Sequence, residues 1–124
     1  MSAASSVVQS LIDAFNASDL EKIMSHFAAD AVYHNIPVDP VRGTQAIRDV
    51  IESFMGMASK VDWELRNLAE STGGAVLTER VDRFLINGKW VGLPVMGTFE
   101  VAAGKITAWR DYFDMNQFQS QLAG

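Results

Sequence analysis

The chain has 124 residues, 48% of them hydrophobic and 20% charged, with 10 basic against 15 acidic side chains and a net charge of -5. That length and composition fit one globular domain over residues 1–124, able to bury a core with a modest pocket. The acid excess argues against nucleic acid or an anionic membrane as partner, no apolar run is long enough to span a bilayer, and the absence of cysteine excludes disulfides, thiolate ligands and a cysteine nucleophile.

Val7, Val8, Leu11, Ile12 and Phe15 recur at helical spacing and predict a first helix over residues 4–17. The same N-terminal stretch has no basic segment before its apolar residues, does not read as a secretory signal, and leaves the cytoplasm as the default compartment. Ser18 to Glu21 has the S-x-x-E form of a capping box and predicts a short second helix to about His26. Val32 to Ile36 reads as a strand stopped by Pro37 and Pro40. Thr44 is placed to cap a third helix whose apolar stripe is Ile47, Val50, Ile51, Phe54 and Met55.

Beyond this point the hydrophobic period changes from 3.6 to 2. Val61, Trp63 and Leu65 alternate with charged residues, Gly73-Gly74 turns the chain, and residues 75–86 form the next strand. Asn87-Gly88 is a hairpin signal. A long strand over 89–101 contains Gly92, Pro94 and Gly97, which suggest bulges or bends. Ala103-Gly104 leads into a strand over 105–113, and Asp114 caps a last helix to about Leu122. Helices followed by a meander of strands indicate an α+β fold. A strongly curved, mixed but mostly antiparallel sheet wrapped over the N-terminal helices would make a cone with an internal pocket.

Two charged triplets stand out on these strands: Arg80-Val81-Asp82 and Trp109-Arg110-Asp111. Residues two apart on a strand share a face. Arg80 and Asp82 therefore point the same way as Val76, Phe84 and Ile86, and a cation and a carboxylate among such neighbours need partners. Asp111 shares a face with Trp109 and Phe113 and can be the second partner. The bland alternative is a structural ion pair or a solvated face. Tyr33 and Asn35 also share a face, and a phenol with a carboxamide suits the holding of a water molecule; the alternative is a polar strand end. Phe84, Leu93, Val95, Trp109 and Phe113 are core by default, and become an apolar substrate-binding wall if the cone is hollow. Glu79, Arg83 and Arg110 alternate outward. His26 sits at a helix end, His34 points away from Tyr33 and Asn35, and the two make no metal site.

Taken together, the Tyr33-His34-Asn35 strand with the prolines after it, the ERVD stretch, the strand through Gly97 and Phe99, and GKITAWRDYFD resemble limonene-1,2-epoxide hydrolases. These lie within the nuclear-transport-factor-2-like, ketosteroid-isomerase-like cone fold. The resemblance covers nearly the whole chain. It implies one-step hydrolysis of a small apolar, cyclic or terpene-like epoxide by water, without a cofactor. Asp111 would be the general base, Asp82 the general acid, Arg80 the bridge between them, and Tyr33 and Asn35 the holders of the water. It also implies a homodimer, for which Glu79, Val81, Arg83 and Leu85 offer a mixed outer face. The fold also hosts isomerases, dehydratases, cyclases and non-catalytic binders. Those have no evident use for an arginine between two carboxylates.

Overall fold

The computed structural model describes residues 2–123. Its elements in chain order are α1 (Ala3–Asn16), α2 (Leu20–Met24), β1 (Phe27–Asn35), β2 (Val41–Arg42), α3 (Thr44–Met57), β3 (Lys60–Glu70), β4 (Val76–Ile86), β5 (Lys89–Ala102), β6 (Lys105–Tyr112) and α4 (Met115–Ala123). The six strands form one curved sheet in the order β2-β1-β6-β5-β4-β3. Only β1 and β6 run parallel; every other neighbouring pair is antiparallel. This is the α+β cone that the sequence predicts. Among the described residues no helix is long and apolar enough to cross a membrane.

Alternation sets which side of the sheet is filled. Along β4 every even-numbered residue from Val76 to Ile86 is buried, while the odd-numbered ones are partly or fully exposed. Helix α1 covers this inner face with Val8, Leu11, Ile12 and Phe15, and α3 adds Ile47 and Ile51. Asn16 fastens α1 to β3 at both of its polar atoms. Its amide donates to the Trp63 carbonyl at 3.0 Å, and its Oδ1 accepts from the Trp63 N–H at 2.7 Å.

Several boundaries differ from the sequence expectation. Ser18 is not the cap of α2: it takes the left-handed turn after α1 at φ 53, so Asp19 caps instead and accepts from the Lys22 N–H at 3.1 Å. Helix α2 stops at Met24 rather than His26. Thr44 is the first residue of α3, and Gly43, at φ 90, stands at the cap position without a side-chain bond. Strand β1 begins at Phe27 rather than Val32; its first half, FAADA, lacks a strong apolar alternation and pairs with β6 through a register shift. Strand β6 ends one residue before Phe113. Other details agree. Asn87 and Gly88 both have positive φ, 51 and 77, as a tight hairpin turn requires. The Asn116 N–H donates to the Asp114 carboxylate at 2.9 Å, so Asp114 caps α4.

Gly92, Pro94 and Gly97 form no bulge against β4: the β4–β5 register runs unbroken from Val76 opposite Phe99 to Ile86 opposite Lys89. The register shift of β5 falls later, against β6, between Glu100 and Val101. Strand β6 pairs with β5 only from Met96 onward, which leaves the first half of β5 as a free edge. Gln121 of α4 closes it, accepting from the Gly92 N–H at 3.0 Å and donating to the Gly92 carbonyl at 2.8 Å. This bidentate amide does what a neighbouring strand would do, and it holds α4 against the edge of β5.

Candidate active site

One rung of the sheet carries the centre of the site. Thr78 lies opposite Gly97, Gly97 opposite Asp111, and Asp111 opposite Asn35. All four are buried. Arg80 enters from the position two residues along β4 and lays its guanidinium across the gap that Gly97 leaves. A Cβ on Gly97 would stand 2.5 Å from Arg80 Nη1, 2.5 Å from Asp111 Oδ1 and 3.0 Å from Thr78 Oγ1. The glycine at 97 is therefore a matter of room beneath Arg80.

Every donor of Arg80 is used. Nε donates to Asp82 Oδ1 at 3.0 Å and Nη2 to Asp82 Oδ2 at 2.8 Å. Nη1 donates to Asp111 Oδ1 at 3.2 Å and Nη2 to Asp111 Oδ2 at 2.8 Å. Nη1 also donates to Thr78 Oγ1 at 3.1 Å, and the Thr78 hydroxyl donates on to the Gly97 carbonyl at 3.4 Å. The guanidinium carbon sits 4.9 Å over the Trp63 ring, a cation–π contact. Arg80 is 1% exposed, Asp82 4% and Asp111 3%. A cation so placed is retained only because its partners are complete.

The environment sets the charges. Burial pushes the Asp82 carboxyl up to about 6; the Asp111 charge adds to this, and Arg80 opposes it. For Arg80, burial works against the charge, but Asp111 and Asp82 together outweigh it and hold the guanidinium firmly protonated. Burial first, and then the Asp111 charge, push the Tyr33 phenol well above its ordinary value, so it stays a neutral donor.

Asp82, Asp111, Tyr33 and Asn35 all open onto one cavity. The rest of its wall is apolar, drawn from the strands (Val61, Trp63, Phe84, Leu93, Val95), from α1 and α3 (Phe15, Ile51, Phe54, Met55), and from Phe113 and α4 (Met115, Phe118). The structure thus brings together the five candidate catalytic residues and four of the five candidate wall residues. Trp109 is the one it places elsewhere. It is fully buried behind the wall, stacked on Tyr33 at 4.4 Å and on Phe99 at 5.1 Å. Its Nε1–H donates to Asp111 Oδ1 at 2.7 Å.

Thr78, Gly97 and the Trp109 N–H were not legible as parts of the site. Thr78 had a signal, since it shares the inward parity of Arg80 and Asp82. Gly97 had none, because its role exists only once β4, β5 and β6 are side by side. The outward assignments hold in the geometry: Arg83 pairs with Glu64 at 2.9 Å and Arg110 with Glu100 at 2.6 Å. His26 bonds the Lys22 carbonyl and Ser10, and His34 bonds the Val38 carbonyl.

Residues 2–123 match the family model of the limonene-1,2-epoxide hydrolase catalytic domain. The chain is 33% identical over 119 residues to epoxide hydrolase EphG of Mycobacterium tuberculosis, covering 94% of this chain and 78% of that protein. A solved limonene-epoxide-hydrolase-like epoxide hydrolase of M. tuberculosis superposes with a TM-score of 0.84 at 30% identity, over 98% of this chain and 91% of the other. An NTF2-like protein of Burkholderia pseudomallei superposes at 0.87 over all of both chains but is only 17% identical, a likeness of fold alone.

Proposed function

Because the chain belongs to the limonene-1,2-epoxide hydrolase family, we propose that it adds water to small apolar epoxides, cyclic or terpene-like, to give vicinal diols in one step. The observation that carries this is Arg80 buried between two carboxylates at the polar end of an otherwise apolar cavity. A three-membered ether opens when its oxygen receives a proton as a nucleophile enters from the opposite side. Asp82 donates that proton. Asp111 takes one from a water held beside Tyr33 and Asn35. The pair begins and ends with a single proton, moved from Asp82 to Asp111. Arg80 contacts both carboxylates at 2.8 Å, so the charge it faces is unchanged through the step. That constancy suits a low-dielectric site, where a net charge change would be costly. The rest of the cavity wall carries no charged side chain, which favours uncharged substrates.

The test is a single turnover of a cyclic epoxide in ¹⁸O-labelled water with enzyme in excess. Direct attack puts the label in the trans-diol on the first turnover. Label found instead in the peptide containing Asp82 or Asp111 means an ester intermediate and overturns the one-step mechanism. No diol from a panel of cyclic, terpene and aryl epoxides overturns the activity itself.

The pH dependence has a definite sign. The reaction needs Asp82 protonated, and its carboxyl sits at about 6 against an ordinary 3.8. In the free enzyme kcat/KM is expected to fall as pH rises through about 6. A rate still rising between pH 6 and 8 would remove Asp82 as the acid. Stability follows the same sign. The folded state holds this proton more tightly than the unfolded chain, so the Asp82 contribution is complete below 3.8 and is lost as pH rises through about 6.

We also propose a homodimer built on the outer face of the sheet. Met96 is 54% exposed and lies on a rung between Glu79 and Tyr112, itself 48% exposed, and Trp90, at 48%, projects from the same face of β5 six residues away. Light scattering at micromolar concentration should give twice the chain mass; a monomer mass would refute this.

A further inference from the structure

The acid–base assignment requires two carboxylates in one site to differ in charge, yet Arg80 cannot choose between them. It gives two hydrogen bonds to each, and its Nη2 stands 2.8 Å from an oxygen of both. Burial does not choose either, since the two aspartates are 4% and 3% exposed. The charged and titratable groups facing Asp111 are Arg80 and Asp82 from β4 and Tyr33 from β1. Arg80 is shared, Asp82 is the other half of the pair, and the Tyr33 phenol is neutral.

One contact breaks the symmetry. Asp111 Oδ1 accepts a further hydrogen bond at 2.7 Å from Trp109 Nε1, and among the described residues Asp82 accepts only from Arg80. An indole N–H donates and cannot accept. Against a carboxylate it stabilises the anion, and it offers nothing to a proton on the same oxygen. It cannot swing away, because its ring is held between Tyr33 and Phe99 with Phe15 at its edge. The contrast with Trp63 is instructive. That ring also packs against Arg80, yet its buried N–H has no partner among the described residues. Packing here therefore does not by itself demand a bonded indole N–H.

We propose that Trp109 is a positioning residue whose indole N–H keeps Asp111 ionised and so assigns the single proton of the pair to Asp82. This rests on the acid–base mechanism above and adds the group that decides the roles. The test exchanges only that N–H: Trp109→3-benzothienylalanine puts sulfur in its place and keeps the ring shape, and Trp109→Phe is a second variant without the donor. The carboxyl ¹³C signals of Asp82 and Asp111 are followed against pH in wild type and variants, with melting temperature as the check on folding. When the wild-type pair holds one proton, the Asp82 signal should be that of an acid and the Asp111 signal that of a carboxylate. In the variants the two signals should move toward each other, and kcat should fall at least about tenfold with KM nearly unchanged.

A wild-type proton found on Asp111 overturns the proposal. So do two signals that stay apart in a folded variant. If the signals converge but the wild type opens no epoxide, the tie-breaking role stands and the catalytic assignment falls. If the wild type opens epoxides and the signals ignore the substitution, the opposite holds.

Discussion

Asp82→Asn and Asp111→Asn are each expected to lose on the order of 10²-fold or more in diol formation while keeping the fold. Asparagine preserves the shape and can still accept from Arg80, but it neither yields nor takes the proton. The two losses should be unequal. Asp82→Asn replaces a carboxyl that the mechanism holds neutral, so Arg80 keeps its one anion in Asp111. Asp111→Asn removes that anion and leaves Asp82 as the only acidic partner of a cation that is 1% exposed. Arg80 then draws Asp82 into the ionised form, because an unpaired buried charge costs about 3–5 kcal/mol. One substitution would thus remove the proposed base and deprotonate the proposed acid, so Asp111→Asn should be the more damaging of the two. Turnover of a cyclic epoxide, with circular dichroism for folding, decides it. A folded variant at near wild-type rate would strike that carboxylate from the mechanism. Asp114→Asn is the control, since Asp114 caps α4 through the Asn116 N–H and asparagine caps equally well.

Gly97→Ala is expected to cost about 10²-fold in kcat through a single methyl group that touches no substrate. The added Cβ would stand 2.5 Å from both Arg80 Nη1 and Asp111 Oδ1. Neither atom has free space to retreat into, because Arg80 is bonded on all sides and Asp111 is pinned by Trp109. The Arg80–Asp111 contact must open, and the carboxylate proposed to activate water moves with it. Overpacking of this kind also costs about 1–3 kcal/mol, so a lower melting temperature should accompany the loss. Gly92→Ala on the same strand is the comparison: its Cβ meets nothing closer than 3.9 Å. Equal activity of the two variants would show that the gap at 97 is not what seats Arg80.

The sequence by itself determined a good deal of this protein. Strand parity is a local property, so the inward pairing of Arg80 with Asp82 and of Tyr33 with Asn35 was readable from residues two apart. The change of period from 3.6 to 2 after α3 marked where the run of long strands begins, and Asn87-Gly88 placed a hairpin turn within one residue. Only the tertiary structure decided what depends on residues distant in the chain. Parity put Trp109 on the inward face, but that face includes both a hollow and a packed floor. Which part is hollow depends on where α1, α3 and α4 lie across the sheet, so Trp109 became a buried support for Asp111 instead of a wall. Gly97 looked like a bend because glycine in a strand usually loosens it. The unbroken register with β4 shows no bulge there, and its meaning comes from the rung it shares with Thr78, Asp111 and Asn35. Local periodicity says which way a side chain points; only the register between strands says what it meets there.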